Sequence, residues 1–393
     1  MPSTRGECAC VDSSEAADRL ASISLGDDES NVGANLIKMS QALAIEGDEM
    51  VFCSNCGKMG DDLKGCNGCR CIRYCSAACQ KKHWKAHKTE CKRIKAVLDG
   101  GERQPPVGQY ALDMSAPPSE EAITSGLFND PPPTPDYPIC MVRLPSSSGL
   151  ITYAPCCGKK ICTACSYQNW KAFDNENRKR ADKNQAVLDL TSCPFCRTPC
   201  AEDDIELIRR MEKRSEKDDP TAIFMLSTGY RSGFHGALQD EAKALDLTKR
   251  AAELGDNDAL FVLGSAYEMG QLGLEFNENA ARKYCELAAM GGHARSRYTL
   301  GRSCCQTTFN RVTRDSVMHS RIAAAAGYTD AMEYLLNCFE EGYIRHRDFA
   351  PSLRARDKVL LEMKSESRDL FLDFVVASGK AENIYKPIYN VPH

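Results

Sequence analysis

The feature that most narrows what this chain can fold into is the clustering of its cysteines. Most of the 22 fall within two segments, 53–91 and 140–200, and there they recur as Cys-x-x-Cys pairs. So many thiols mean either disulfides or metal. Disulfides belong to oxidising compartments, and the N-terminal stretch MPSTRGECACVDSSEAADRL lacks the apolar core of a secretory signal. The spacing therefore reads as zinc, and cytoplasm or nucleus is the expected compartment. No stretch approaches the roughly 20 apolar residues of a membrane helix. A net charge of −4 gives no whole-chain reason to expect nucleic acid or an anionic membrane as partner. At 393 residues, two to four modules fit.

The first cluster runs Cys53-x2-Cys56-x9-Cys66-x2-Cys69-x5-Cys75-x3-Cys79-x7-His87-x3-Cys91. Eight soft or borderline ligands suit two tetrahedral zinc ions, and a set that fills every position predicts a structural site. A segment this short has too little apolar interior to hold itself, so the metal must supply folding free energy. Cys71 is left over as a bystander, and His83 as a packed or surface residue. Lys81, Lys82, Lys85, Lys88, Lys92 and Arg93 read as the solvated face of a helix rather than a phosphate-binding run.

The run Tyr74-Cys75-Ser76-x-x-Cys79-Gln80-x-x-His83-Trp84-x-x-His87-Lys88-x-x-Cys91 resembles the MYND finger family over the whole module, residues 50–94. That resemblance implies an interleaved ligand set. Cys53, Cys56, Cys75 and Cys79 would hold one zinc, and Cys66, Cys69, His87 and Cys91 the other. It also implies that Gln80 and Trp84 line a groove for short proline-containing peptides. MYND fingers occur in lysine methyltransferases too, but after residue 91 no such catalytic domain is recognised here.

The second cluster, in 136–200, reads Asp136-Tyr137-Pro138-Ile139-Cys140, then Pro155-Cys156-Cys157-Gly158-Lys159-Lys160-Ile161-Cys162-x-x-Cys165, then Cys193-Pro194-Phe195-Cys196-Arg197. It resembles a degenerate RING finger. Tyr137 stands where the first cysteine belongs, so one site keeps Cys140, Cys162 and Cys165, with Asp136 or water to complete it. Lys159 stands at the histidine position, leaving Cys156 and the adjacent Cys157 to join Cys193 and Cys196, a vicinal arrangement expected to be strained. Up to two further zinc ions follow from the resemblance. So does a surface for a ubiquitin-conjugating enzyme, at Ile139, Trp170, Pro194 and Arg197.

Between the fingers, residues 95–135 carry Pro105-Pro106, Pro117-Pro118 and Pro131-Pro132-Pro133, the composition of a linker that fixes no geometry. Residues 1–49 are polar and expected to be mostly disordered, with a short helix around Leu36, Met39 and Leu43. From 202 to 345 the pattern turns helical and repeats. Ala222, Ala259, Ser296 and Ala331 stand four residues before Leu226, Leu263, Leu300 and Leu335, at intervals of 37, 37 and 35 residues. The partner helices end at Gly255, Gly291-Gly292 and Gly327. Periods of this size predict a solenoid of helix pairs, and the pattern resembles Sel-one-like repeats, relatives of the tetratricopeptide repeat. Val359, Leu360, Met363, Leu370, Phe374 and Val375 predict a helical cap within 346–393.

The fold class is thus multidomain: small zinc-stabilised α+β fingers followed by an all-α helical-repeat solenoid. No phosphate loop, nucleophile elbow or His-Glu-x-x-His helix is found. Two functions fit, a non-enzymatic adaptor that binds proteins through its finger and repeats, or a RING-type ubiquitin ligase whose repeats or MYND finger select substrate. Exposed Cys8, Cys10 and the Cys304-Cys305 pair carry nothing that raises their reactivity.

Overall fold

The computed structural model describes residues 51–377 apart from 102, 107–109, 115–125, 129–138, 141–150, 187, 189–191, 234–238 and 307–310, and apart from the side chains of 304–306, 372 and 375–377. The N-terminal region with its expected helix, the proline runs at 117–118 and 131–133, Asp136, Tyr137 and the thiols of Cys8, Cys10, Cys304 and Cys305 lie outside the described residues, as does the Val375 side chain.

The first finger is a two-residue hairpin and one long helix. Strand β1 (Lys64–Gly65) pairs antiparallel with β2 (Arg73–Tyr74), with Lys64 opposite Tyr74. Helix α1 (Ala77–Gly100) starts where the Ser76 hydroxyl accepts from the Cys79 amide at 3.2 Å. The helix does not stop at residue 94, as the module boundary suggested. Ile94 and Val97 extend the buried stripe begun by His87 and Cys91, and that stripe keeps the next turn helical into what read as linker.

The second finger repeats the plan. Strands β3 (Ile151–Ala154) and β4 (Lys159–Cys162) form an antiparallel hairpin with Ile151 opposite Cys162. Helix α2 (Thr163–Asp182) follows directly, and the Cys162 sulfur accepts from the Cys165 amide at its start.

Helices α3 (Asp204–Ser215), α4 (Pro220–Ser232), α5 (Glu241–Glu253), α6 (Asn257–Met269), α7 (Glu278–Met290), α8 (Ala294–Gln306), α9 (Arg314–Ala325), α10 (Thr329–Glu340) and α11 (His346–Glu362) build the solenoid, each packing on the next. Their starts are written in the sequence. Asp219, Asp240, Asp256, Asn277 and Thr313 each accept a hydrogen bond from a first-turn amide, and Pro220 sits at the first helical position. The counted small residues Ala222, Ala259, Ser296 and Ala331 are each 0% exposed, and the four leucines are buried beside them. Gly255, Gly292 and Gly327 have φ of 84°, 92° and 89°, a region costly for other residues.

One further position in the repeat went unread. Ser227, Gly264 and Gly301 stand 37 residues apart, and Gly264 and Gly301 lie where the next helix packs tightly against them. A Cβ on Gly264 would lie 2.7 Å from Cys285 Sγ and 3.1 Å from the Ala281 carbonyl oxygen.

Two expectations about the connecting segments need correction. The linker is not geometrically neutral. The Leu112 amide donates to the Tyr343 carbonyl at 2.8 Å, and Leu127 and Phe128 are buried in the solenoid. Arg297 donates to the Leu127 carbonyl, and the Phe128 ring lies 4.6 Å from that of His319. Composition averages over a segment, and a few well-placed apolar side chains are enough to seat it. The tail is also not one cap. Leu353, Val359 and Met363 of α11 and its end are buried against the solenoid. Helix α12 (Glu366–Ala377) instead packs on α2 of the second finger, with Phe371 and Phe374 ring centroids 5.2 and 4.6 Å from Tyr167. Leu370 and Phe374, expected to cap the solenoid, are exposed.

Candidate metal centres and the finger surface

Three Cys-x-x-Cys loops share one backbone device. The residue after the second cysteine donates its amide back to the carbonyl of the first: Gly57 to Cys53 at 2.8 Å, Arg70 to Cys66 at 3.0 Å, and Arg197 to Cys193 at 3.0 Å. All three have positive φ, at 74°, 58° and 62°. The turn aims both sulfurs at one point. A fourth copy runs from Ala154 to Gly158, whose amide donates to the Ala154 carbonyl at 2.8 Å and whose φ is 73°. There Cys157 takes the place of the second cysteine and Ala154 that of the first. Cys156 then supplies the missing sulfur, which gives the vicinal pair its place without a bridge between the two.

These turns and α1 bring the first cluster together in two groups. The ligand atoms of Cys53, Cys56, Cys75 and Cys79 lie within 4.8 Å of one another, as do those of Cys66, Cys69, His87 and Cys91. Sulfurs of Cys56 and Cys75 are 3.6 Å apart, Cys75 and Cys79 3.5 Å, and Cys66 and Cys91 3.6 Å; His87 Nε2 is 3.3 Å from Cys69 Sγ. A tetrahedral zinc with Zn–S bonds of about 2.3 Å requires sulfurs about 3.8 Å apart, so the donor set fits the ion. Gly68 leaves the room: a Cβ there would stand 2.6 Å from Cys91 Sγ. Thiols packed this closely resist ionising together. Cys79, then Cys56, pushes the Cys75 thiol up to about 12, and burial followed by Cys66 pushes Cys91 up to about 12. A divalent cation among the sulfurs removes that resistance.

The second finger brings together Cys156, Cys157, Cys193 and Cys196 as one group and Cys140, Cys162 and Cys165 as another. The Cys157–Cys193 and Cys156–Cys196 sulfur separations are 3.8 and 3.4 Å. Four donors fit zinc here in the same sense, while the second group offers three among the described residues.

Around the clusters, the neighbours of the metal residues have partners that sequence spacing hid. Cys71 lies outside both groups, buried, its thiol donating to the Cys69 carbonyl at 3.2 Å and standing 3.2 Å from His346 Nε2. His83 stacks on His87 with ring centroids 5.7 Å apart and hydrogen-bonds Tyr74 Oη at 3.0 Å.

Arg93 is no solvated cation. It makes two bonds to Glu340, at 2.7 and 2.8 Å, and others to Glu333 and Asn337, both at 2.7 Å. One turn earlier, Glu90 pairs with buried Arg356. Burial alone would raise the Glu90 carboxyl, but the Arg356 guanidinium outweighs it and holds the group below the usual carboxylate range. His346 donates to the Cys69 carbonyl at 2.8 Å, and Arg354 to that of Cys71 at 2.9 Å. The finger is therefore seated on α10 and α11, a placement the proline-rich composition gave no hint of.

Of the surface residues singled out, Gln80 is half-buried and Trp84 is 39% exposed, edge-on to His87. Ile139, Trp170 and Arg197 are exposed and Pro194 half-buried. The φ of Arg197 belongs to its turn, a backbone role independent of any partner.

Residues 53–91 match the family model of the MYND finger, and residues 220–256 and 257–293 each match that of the Sel1 repeat. Three sequence relatives match over about 50 residues each. SET domain-containing protein 14 of Caenorhabditis elegans is 44% identical over 55 residues, 14% of this chain and 13% of that protein. Histone-lysine N-methyltransferase SMYD3 of Homo sapiens is 45% identical over 51 residues, 13% and 12% respectively. Ubiquitin carboxyl-terminal hydrolase 19 of Arabidopsis thaliana is 49% identical over 46 residues, 12% and 6%. The chain thus spans about an eighth or less of the length of these relatives. Among solved structures, a Sel1 repeat protein from Oxalobacter formigenes is similar at 26% identity and a TM-score of 0.31, over 33% of this chain and 97% of that one. The protective antigen c5321 of uropathogenic Escherichia coli aligns at 21% identity and a TM-score of 0.34, over 48% and 39%.

The chain carries a MYND zinc finger and a Sel1-type helical solenoid, both protein-interaction modules. No helix among the described residues is long and apolar enough to cross a membrane.

Proposed function

We propose that the chain is a non-enzymatic adaptor, whose MYND finger takes proline-containing peptides at Gln80 and Trp84 while the solenoid takes a second protein. One observation carries this. Trp84 is 39% exposed on α1, and nine positions at about 100° each put Arg93, which clamps the helix to α10, half a turn away. The helix is locked on one side and offers an aromatic side chain on the other. Exposed aromatics on a rigid support are the residues that dominate peptide interfaces. The finger recurs in relatives named for quite different chemistries, which suits a module that binds rather than reacts.

The test is titration of the full chain with proline-containing peptides, read by fluorescence polarisation. Trp84→Ala is expected to weaken binding at least tenfold with the zinc content unchanged. Equal affinity in that variant would remove the groove from the proposal. The ubiquitin-ligase alternative rests on the likeness of 136–200 alone. It would be revived by ubiquitin transfer that depends on Arg197 and on Cys162.

A further inference from the structure

The three-sulfur group of the second finger faces a cation from the far end of the chain. Arg368, on α12, is 5% exposed. Its Nη1 donates to the Met363 carbonyl at 2.6 Å, its Nε has no hydrogen-bond partner, and its Nη2 stands 4.0 Å from Cys140 Sγ. Among the described residues no carboxylate forms an ion pair with it. A guanidinium taken this far out of water without an opposite charge is costly. The groups that can supply the charge are the sulfurs it faces.

Charge explains why an arginine suits this place. Three thiolates around a doubly charged ion leave one negative charge in a buried setting. One guanidinium cancels it. A four-cysteine centre leaves two, and the group of Cys156, Cys157, Cys193 and Cys196 is the more open of the two centres, with Cys196 exposed. The Phe371 and Phe374 contacts with Tyr167 then have a purpose beyond packing, since they hold α12 where Arg368 reaches the sulfurs.

We infer that Cys140, Cys162 and Cys165 hold one zinc ion, and that Arg368 is the positioning residue that neutralises the charge of their three sulfurs. Among the described residues the three sulfurs of this finger are met by a charge more than 160 residues later. The ion is held by the cysteines; the arginine balances the charge of the centre.

The experiment uses the full chain, purified without chelator, as wild type, Arg368→Met and Arg368→Lys. Zinc is counted by native mass spectrometry, and thiol alkylation is mapped cysteine by cysteine. Wild type should carry four zinc ions and Arg368→Lys the same number. Arg368→Met should carry three, because loss of such an outer partner weakens metal binding about 10- to 100-fold. Its Cys140, Cys162 and Cys165 should alkylate at least tenfold faster, while Cys156, Cys157, Cys193 and Cys196 and the solenoid thiols Cys285 and Cys338 stay protected. Three zinc ions on the wild type would overturn the inference. So would a Met variant indistinguishable from wild type, or Met and Lys variants that lose zinc alike, which would make the residue a packing group. Alkylation of Cys285 and Cys338 in either variant would overturn it as well, since general unfolding would then account for the metal loss.

Discussion

The two fingers are built from the same turn, hairpin and helix, yet they are held in different ways. The first has eight donors in its own 39-residue span and is docked to the solenoid by charged pairs, Arg93 with Glu340 and Glu90 with Arg356. Among the described residues the second gathers seven sulfurs, and it is docked by aromatic contacts with α12 and by hydrogen bonds to α3 and α4: Tyr153 Oη donates to Asp219, the residue that caps α4, at 2.6 Å, and Arg210 and Arg214 of α3 donate to the Pro199 and Pro155 carbonyls at 2.7 and 3.3 Å. What differs is where the completing groups come from. A finger with a full ligand set can be seated afterwards by surface charges. A finger with a deficient set has part of its environment supplied by the element that seats it. The last 30 or so described residues serve both, with His346–Arg356 under the first finger and Arg368–Phe374 against the second.

The sharpest way to break this comparison is to remove one sulfur from each finger. Cys66→Ser should cost the first finger its inner zinc and with it most of the fold of 53–91, because a structural zinc contributes roughly 10–16 kcal/mol in fingers of this size. Hydrogen exchange should then rise throughout α1 while 220–293 stays protected. Cys140→Ser should lose one zinc and loosen only the finger between 151 and 200. If the two variants behaved alike, the fingers would not differ in self-sufficiency.

Next in size are the seats themselves. Glu90→Ala leaves buried Arg356 with Asp357 as its remaining carboxylate, at 2.8 Å, and should destabilise the docked finger by about 3 kcal/mol. The readout is exchange in α10 and α11, since a chain of several modules has no single unfolding transition. Tyr153→Phe removes one hydrogen bond to a charged acceptor and should cost the second finger about 1.5–3 kcal/mol. A larger effect at Tyr153 than at Glu90 would reverse the ranking of the two seats.

Glycines give a finer discrimination. Gly68→Ala pushes a methyl group against Cys91 Sγ, a metal-binding atom that cannot move away without opening the site, so zinc occupancy should fall. Gly158→Ala combines a φ of 73° with contacts at 2.8–2.9 Å, but these are to the ends of the Arg214 and Asp219 side chains. Side-chain ends can shift, so this variant should keep its zinc and lose about 1–3 kcal/mol. Zinc counting on both variants separates the two outcomes.

How much of this was legible in the sequence follows the same division. The first finger and the solenoid were readable because their constraints are local. Ligand spacing within 53–91 and the small residue four before each leucine specify contacts made inside one module. Gly264 and Gly301 escaped because their repeat is visible only once Ser227 is accepted as the same position. What could not be read were the long-range partners. Nothing in the surroundings of Arg93 or Glu90 points to Glu340 or Arg356 some 250 residues away. Leu127 and Phe128 were lost within a proline-rich average, and Arg368 looked like any charge on an amphipathic tail helix. Each of these is a single side chain whose role depends on tertiary placement, and no periodicity records that.

The smallest expected effect tests whether charge as such, or only desolvated charge, distinguishes the first finger. Lys95 and Asp99 form an ion pair on α1, one turn apart, within two residues of the clamp at Arg93. Both side chains are more than half exposed. Water and salt screen such a pair, and ordering two long side chains offsets what attraction remains, so its contribution is about 0.3–0.5 kcal/mol. Asp99→Ala should therefore leave zinc content, exchange in α10 and α11, and peptide affinity at Trp84 within error of wild type. Arg93→Ala, two positions before Lys95, should open the interface in the same assay. If Asp99→Ala instead loosened the finger as much as Glu90→Ala did, the seat would be governed by the summed charge of the helix. The pairing of individual buried groups would then no longer explain why the first finger stays where it is.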